Sequence, residues 1–95
     1  MISQPFTLSG EMTFLTVKSD RARLLDYCKS LRGLTLSLNL GAVTHCDSAG
    51  LAFLIEAKRL ARKYKKTCRI EQMPDSVKAL AEFCGVEKIL TSDGV

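Results

Sequence analysis

Seven residues, Leu34-Thr35-Leu36-Ser37-Leu38-Asn39-Leu40, alternate strictly between apolar and small polar side chains. No other stretch limits the possible fold as much. Successive side chains of a strand point to opposite faces, so a period of two describes a strand with one buried and one wet face. A parallel strand sandwiched between two helical layers would be apolar on both faces. The sheet is therefore expected to carry helices on one side only. The same period recurs in Phe6-Thr7-Leu8-Ser9 and in Cys68-Arg69-Ile70-Glu71.

Between these segments the apolar period lengthens to that of a helix. Val17, Leu24, Leu25, Cys28 and Leu31 share one face, interrupted by Arg21, and Gly33 stands where a helix would stop. A second helix is expected from about Ser48 to Tyr64, with Phe53, Ala57, Leu60, Ala61 and Tyr64 on one face. A third opens with Pro74 in its first turn, shows Val77, Leu80, Ala81 and Cys84 at helical spacing, and closes at Gly85. Strand and helix thus alternate three times, which predicts an α/β domain with parallel crossovers. Ninety-five residues suffice for one core and one domain, residues 1–95.

Composition narrows the function classes. An apolar fraction of 46% and a charged fraction of 25% are those of a folded globular chain. The longest apolar run, Leu51-Ala52-Phe53-Leu54-Ile55, is far shorter than the roughly 18 residues of a membrane span. The first basic residue, Lys18, follows the N-terminal apolar residues instead of preceding them as in a signal peptide, so the cytosol is the expected location. Cys28, Cys46, Cys68 and Cys84 form no CxxC pair and are expected to be buried, reduced thiols. No metal site is expected, since the cysteines lack a short metal-ligand spacing and the chain has one histidine, and no nucleotide cofactor is expected, since there is no GxxxxGK[ST] and no GxGxxG.

Functional interest centres on GAVTHCDSAG, residues 41–50, read as the turn from the second strand into the second helix. It would lie at the carboxyl end of a parallel strand, where open α/β sheets place their binding sites. Asp47 or Ser48 can accept hydrogen bonds from the free N–H groups of the first helical turn, and capping alone would explain both. It does not explain Ala49 and Gly50, which leave the helix start uncovered; close approach by another surface is a reason to tolerate glycine there. Leu51 to Ile55 are apolar around more than a full turn, a surplus to be buried by a partner or by neighbouring helices. His45, Cys46 and Asp47 resemble base, nucleophile and acid. Adjacent residues rarely converge on one atom, and His45 is the only histidine, so no enzyme is expected.

The helix end is basic: Lys58, Arg59, Arg62, Lys63, Lys65 and Lys66 are six of the fourteen Lys and Arg residues. Such charge complements the helix dipole and is ordinarily solvated. Lys58, Arg59 and Arg62 could also contact an acidic protein partner or an anionic membrane. Nucleic acid is not an expected partner, because no aromatic residues are interleaved for stacking.

The string Asp47-Ser48-Ala49-Gly50-Leu51-Ala52, between strand and helix, together with Leu8-Ser9-Gly10-Glu11-Met12-Thr13-Phe14 and the AxxxGV of residues 81–86, resembles the STAS domain family. The resemblance implies a mixed, mostly parallel sheet of about four strands with helices packed on one face; STAS domains often begin with an additional strand, for which Met1 to Gln4 barely provide the length. It also implies a non-catalytic interaction module. One branch, the anti-sigma-factor antagonists, accepts phosphate on the second hydroxyl of a D-S-S-G motif; Ala49 occupies that position, leaving Ser48 as the one nearby hydroxyl. The other branch, the STAS subunits of the Mla phospholipid transporters, has Asp, then Thr or Ser, then Ala-Gly-Leu, as here. For that branch the resemblance implies docking through residues 47–52 on an ABC-type ATPase, with a permease in the same complex. It implies a role in outer-membrane lipid asymmetry and a place at the inner membrane through the transporter alone.

Overall fold

The structure is a computed structural model in which residues 5–30 and 33–91 are described. Seven elements follow one another: β1 (Phe6–Met12), α1 (Val17–Ser30), β2 (Thr35–Cys46), α2 (Ser48–Lys63), β3 (Thr67–Glu71), α3 (Asp75–Cys84) and α4 (Glu87–Thr91). The described strands form one sheet in the order β1-β2-β3, and both pairings are parallel. The further strand expected near Met1 to Gln4 lies outside the described residues, as does Leu31 of the first helical stripe.

The Leu34–Leu40 pattern does what its period requires. Leu36, Leu38 and Leu40 are buried, while Ser37 and Asn39 between them are only half-buried. Their partners continue the inward face: Phe6 lies beside Leu38 in the β1 register, and Cys68 and Ile70 lie beside Leu36 and Leu38 in the β3 register. On the other face Thr7, Ser9, Glu11, Arg69 and Glu71 are exposed. The sheet is thus covered on one side, with α2 lying between α1, which also touches β1, and α3 and α4, which reach β2 and β3 respectively.

The sequence reading ends β2 too early. Residues 41–46, expected as a turn, continue the strand and pair with β1 as far as Met12↔Cys46. Two register shifts, between Thr7 and Ser9 and between Gly10 and Glu11, set residues 38–46 opposite residues 6–12. Each adds one residue to β2, so the inward positions jump from Leu40 to Val43 to Cys46 and the period of two is lost. Bulges of this kind are rare between parallel strands.

The apolar surplus of α2 is also absorbed internally. Leu51, Phe53, Leu54, Ala57 and Ala61 are buried and Ile55 is half-buried, because α2 is flanked by helices on both sides as well as by the sheet beneath. A centrally placed helix needs more than one stripe, and the chain supplies its own cover. Pro74 takes the N-cap position of α3 instead of its first turn, and Gly85 ends the helix with φ of 74°, the left-handed conformation that glycine adopts without strain. Cys84 is exposed, contrary to the expectation of a buried thiol, and Cys46 is only half-buried. Past Gly85 the chain reverses, and Leu90 of α4 is buried in the core, with Val86 packed against it. Five residues are too short for α4 to show a readable period.

Candidate docking site at the start of α2

Asp47 is the N-cap of α2, with extended backbone angles of φ −111° and ψ −172°. One carboxylate oxygen, Oδ1, accepts the Gly50 N–H at 3.0 Å, and the other, Oδ2, accepts the Phe14 N–H at 3.0 Å across 33 residues of sequence. The Asp47 N–H in turn donates to the Met12 carbonyl at 3.4 Å. The N–H groups of Phe14, Gly50 and Ala49, in that order, with a smaller contribution from His45, hold the Asp47 carboxyl below its usual pKa.

With the cap assigned to Asp47, Ser48 is left exposed, and no hydrogen bond ties its hydroxyl to any described residue. Ala49 is half-buried and Ala52 exposed. Gly50 and Leu51 face the interior. A Cβ built on Gly50 would overlap the Met12 carbonyl oxygen and stand 3.0 Å from Cys46 Sγ. The close approach that glycine permits is therefore made by the chain's own strand end, not by an outside surface. Of the six residues singled out by sequence, Ser48, Ala49 and Ala52 can meet a partner, Asp47 is engaged with backbone, and Gly50 and Leu51 belong to the core.

The loop that Asp47 grips carries the feature that the sequence reading missed. Residues 13–16 form a turn in which the Thr16 hydroxyl accepts the Thr13 N–H at 2.9 Å and donates to the Glu11 carbonyl at 3.0 Å. The Thr13 hydroxyl accepts the Leu15 N–H at 3.3 Å. Thr13 is buried, whereas Phe14 and Leu15 at the tip are 75% and 80% exposed. Two neighbouring apolar residues in a threonine-bounded loop were the available signal; they entered the sequence reading only through the motif containing Phe14.

No catalytic set assembles here. Cys46 Sγ donates to the Asp47 carbonyl at 3.3 Å, and burial, with the Asp47 charge behind it, pushes the thiol pKa up to about 11. Such a thiol is almost wholly protonated at neutral pH. His45 is exposed beside Glu11 in the strand register. No group of three His, Cys, Asp or Glu residues among those described could hold a metal ion. No described helix is long and apolar enough to cross a membrane.

The basic residues divide between anchored and exposed positions. Lys58 donates to the Cys68 carbonyl at 2.9 Å and Lys66 to the Gly33 carbonyl at 2.6 Å, so one pins α2 to β3 and the other pins the turn after α2 to the segment that leads into β2. Arg59 lies 4.0 Å from Glu56, which also meets Arg21 of α1 at 3.3 Å. Arg62 is exposed.

Among solved structures, the anti-sigma factor antagonist SpoIIAA in its unphosphorylated form has a similar fold: TM-score 0.73 at 17% identity, over 100% of this chain and 84% of that one. No curated protein sequence matches the chain. The sequence model described as "Mlab, STAS domain" matches residues 3–91. With a one-sided parallel sheet and Asp47 capping the helix that follows its central strand, the chain belongs to this MlaB-type STAS family.

Proposed function

We propose that the protein is a non-catalytic subunit that docks on the ATPase of an ABC-type phospholipid transport complex. The observation that carries this reading is the surface of small residues made by exposed Ser48 and Ala52 and half-buried Ala49 of α2, with the exposed apolar Phe14 and Leu15 on a loop bonded to the same helix start. Its location at the carboxyl ends of parallel strands is where such folds bind other molecules. The MlaB description of the matched family supports the transporter as the setting. In this reading the domain lies in the cytoplasm, held at the inner membrane by the ATPase and its permease. Its work contributes to outer-membrane lipid asymmetry.

The test is binding of the purified protein to the purified ATPase subunit. Ala49→Arg, which places a long charged side chain at the half-buried edge of this surface, is expected to weaken binding at least tenfold with an unchanged far-UV spectrum. Unchanged affinity would refute the docking surface.

A second reading, a signalling antagonist controlled by phosphorylation, is favoured by one observation: the Ser48 hydroxyl is exposed and uncommitted. Stoichiometric phosphate on Ser48 after incubation with an anti-sigma kinase would establish it, and loss of that label in Ser48→Ala would locate it. Ala49, where the second hydroxyl of the antagonist motif would stand, argues against it.

A further inference from the structure

We propose that Asp47 is a positioning residue which holds the 13–16 loop so that Phe14 and Leu15 stand outward as the second half of the docking surface. The proposal rests on the docking reading above and changes the part Asp47 plays in it, from a contact to a latch.

Three observations point the same way. First, Asp47 divides its two oxygens between two elements: Oδ1 caps α2 through Gly50, while Oδ2 takes the Phe14 N–H of the β1–α1 loop. A helix cap needs only one acceptor, and a serine supplies it as well as an aspartate. The second oxygen is therefore not explained by capping. Second, the other bonds of the loop are internal. Thr13 and Thr16 satisfy each other, Leu15 and Glu11, but none of them fixes Phe14 relative to α2. Among the described residues the Asp47 carboxylate is the polar tie between loop and helix start, while the Asp47 N–H bonds the Met12 carbonyl at the end of β1.

Third, the loop so held displays two adjacent large apolar side chains instead of folding them inward. Single exposed apolar residues are ordinary on a protein surface. An adjacent pair at the tip of a hydrogen-bonded turn, tied through the Phe14 N–H and Asp47 to the start of the helix that carries exposed Ser48 and Ala52, adds apolar surface at that end of the domain. An anchor held in its bound geometry loses less entropy when it docks, which raises affinity without a new contact. The occupant is the ATPase subunit proposed above, because the loop is bonded to the N-cap of the same helix start.

The two roles of Asp47 separate in one substitution. Asp47→Ser keeps an oxygen for the Gly50 N–H but offers none to Phe14. In the free protein, amide exchange followed by NMR is expected to quicken about tenfold at Phe14 while Gly50 stays protected. Affinity for the ATPase subunit is expected to fall about tenfold. In a Phe14→Ala/Leu15→Ala background, itself weakened, Asp47→Ser is expected to add no further loss, the non-additivity of residues acting through one another. Unchanged exchange at Phe14 would overturn the latch. Full additivity would overturn it too, by making Asp47 a direct contact. Should the wild-type protein not bind the ATPase subunit at all, the docking half falls with the function proposed above, and the exchange comparison still decides whether Asp47 holds the loop.

Discussion

A single missing methyl group lets β1 and α2 meet. The Met12 carbonyl oxygen occupies the space that a side chain at position 50 would need, and backbone cannot yield as the end of a flexible side chain can. Gly50→Ala is therefore expected to cost about 3 kcal/mol, at the upper end for overpacking, in urea unfolding. Two positions earlier the outcome is the opposite. The Ser48 hydroxyl bonds to none of the described residues, so Ser48→Ala is expected to stay within about 0.5 kcal/mol of wild type. The sequence marks Gly50 as unusual without saying which surface approaches it, because that surface is the far end of a strand 38 residues earlier. The four cysteines divide in a similar way. Cys46 and Cys68, with pKa values of about 11, are expected to react with iodoacetamide at pH 8 far more slowly than exposed Cys84, a difference mass spectrometry of the labelled sites would show.

Among the elements, β2 shows how far a pattern can be followed. Its first half was legible because alternation of leucine with polar residues has one physical reading. Its second half was not, since each bulge puts two residues between inward positions and the tail GAVTHC then resembles a turn. Helix α2 was legible in its extent but not in its surroundings. Its apolar surplus faces neighbouring helices, and α4 among them is too short to announce itself. The basic character of α2 was equally plain in sequence, while the contact made by Lys58 was not. That ammonium satisfies the Cys68 carbonyl on β3, so Lys58→Met, which keeps the apolar stem, is expected to destabilise by about 1–2 kcal/mol. Arg59→Ala, removing a long and exposed ion pair, is expected to change stability by less than about 1 kcal/mol. Thermal unfolding of the two variants side by side would separate the anchoring lysine from the solvated arginine.

For the molecule as a whole, the perturbed groups define a pH range. The Asp47 carboxyl has a lowered pKa in the folded state, so its contribution is present above its ordinary value of 3.8 and is lost as pH falls through the lowered one. The thiols of Cys46 and Cys68 are shifted upward from 9.0 to about 11. Folding resists their ionisation, so stability is full below pH 9 and declines as pH rises from there through about 11. Melting temperature measured across this range should hold near neutrality and fall on both limbs, and Cys68→Ala should flatten the alkaline one. The alternation of strands and helices, read from sequence, gave the architecture, and the tie between Asp47 and Phe14 was beyond its reach because no local pattern couples residues 33 positions apart.

The burial of Gly50 and Leu51 between more accessible neighbours at the helix start divides the six-residue motif into two inheritances. Substitutions at positions 50 and 51 are tested first by folding, those at 48, 49 and 52 first by whatever the domain meets. If the proposed docking holds, a descendant of this chain could exchange one partner for another through positions 48, 49 and 52 and the Phe14–Leu15 tip, with the sheet and its central helix left as they are.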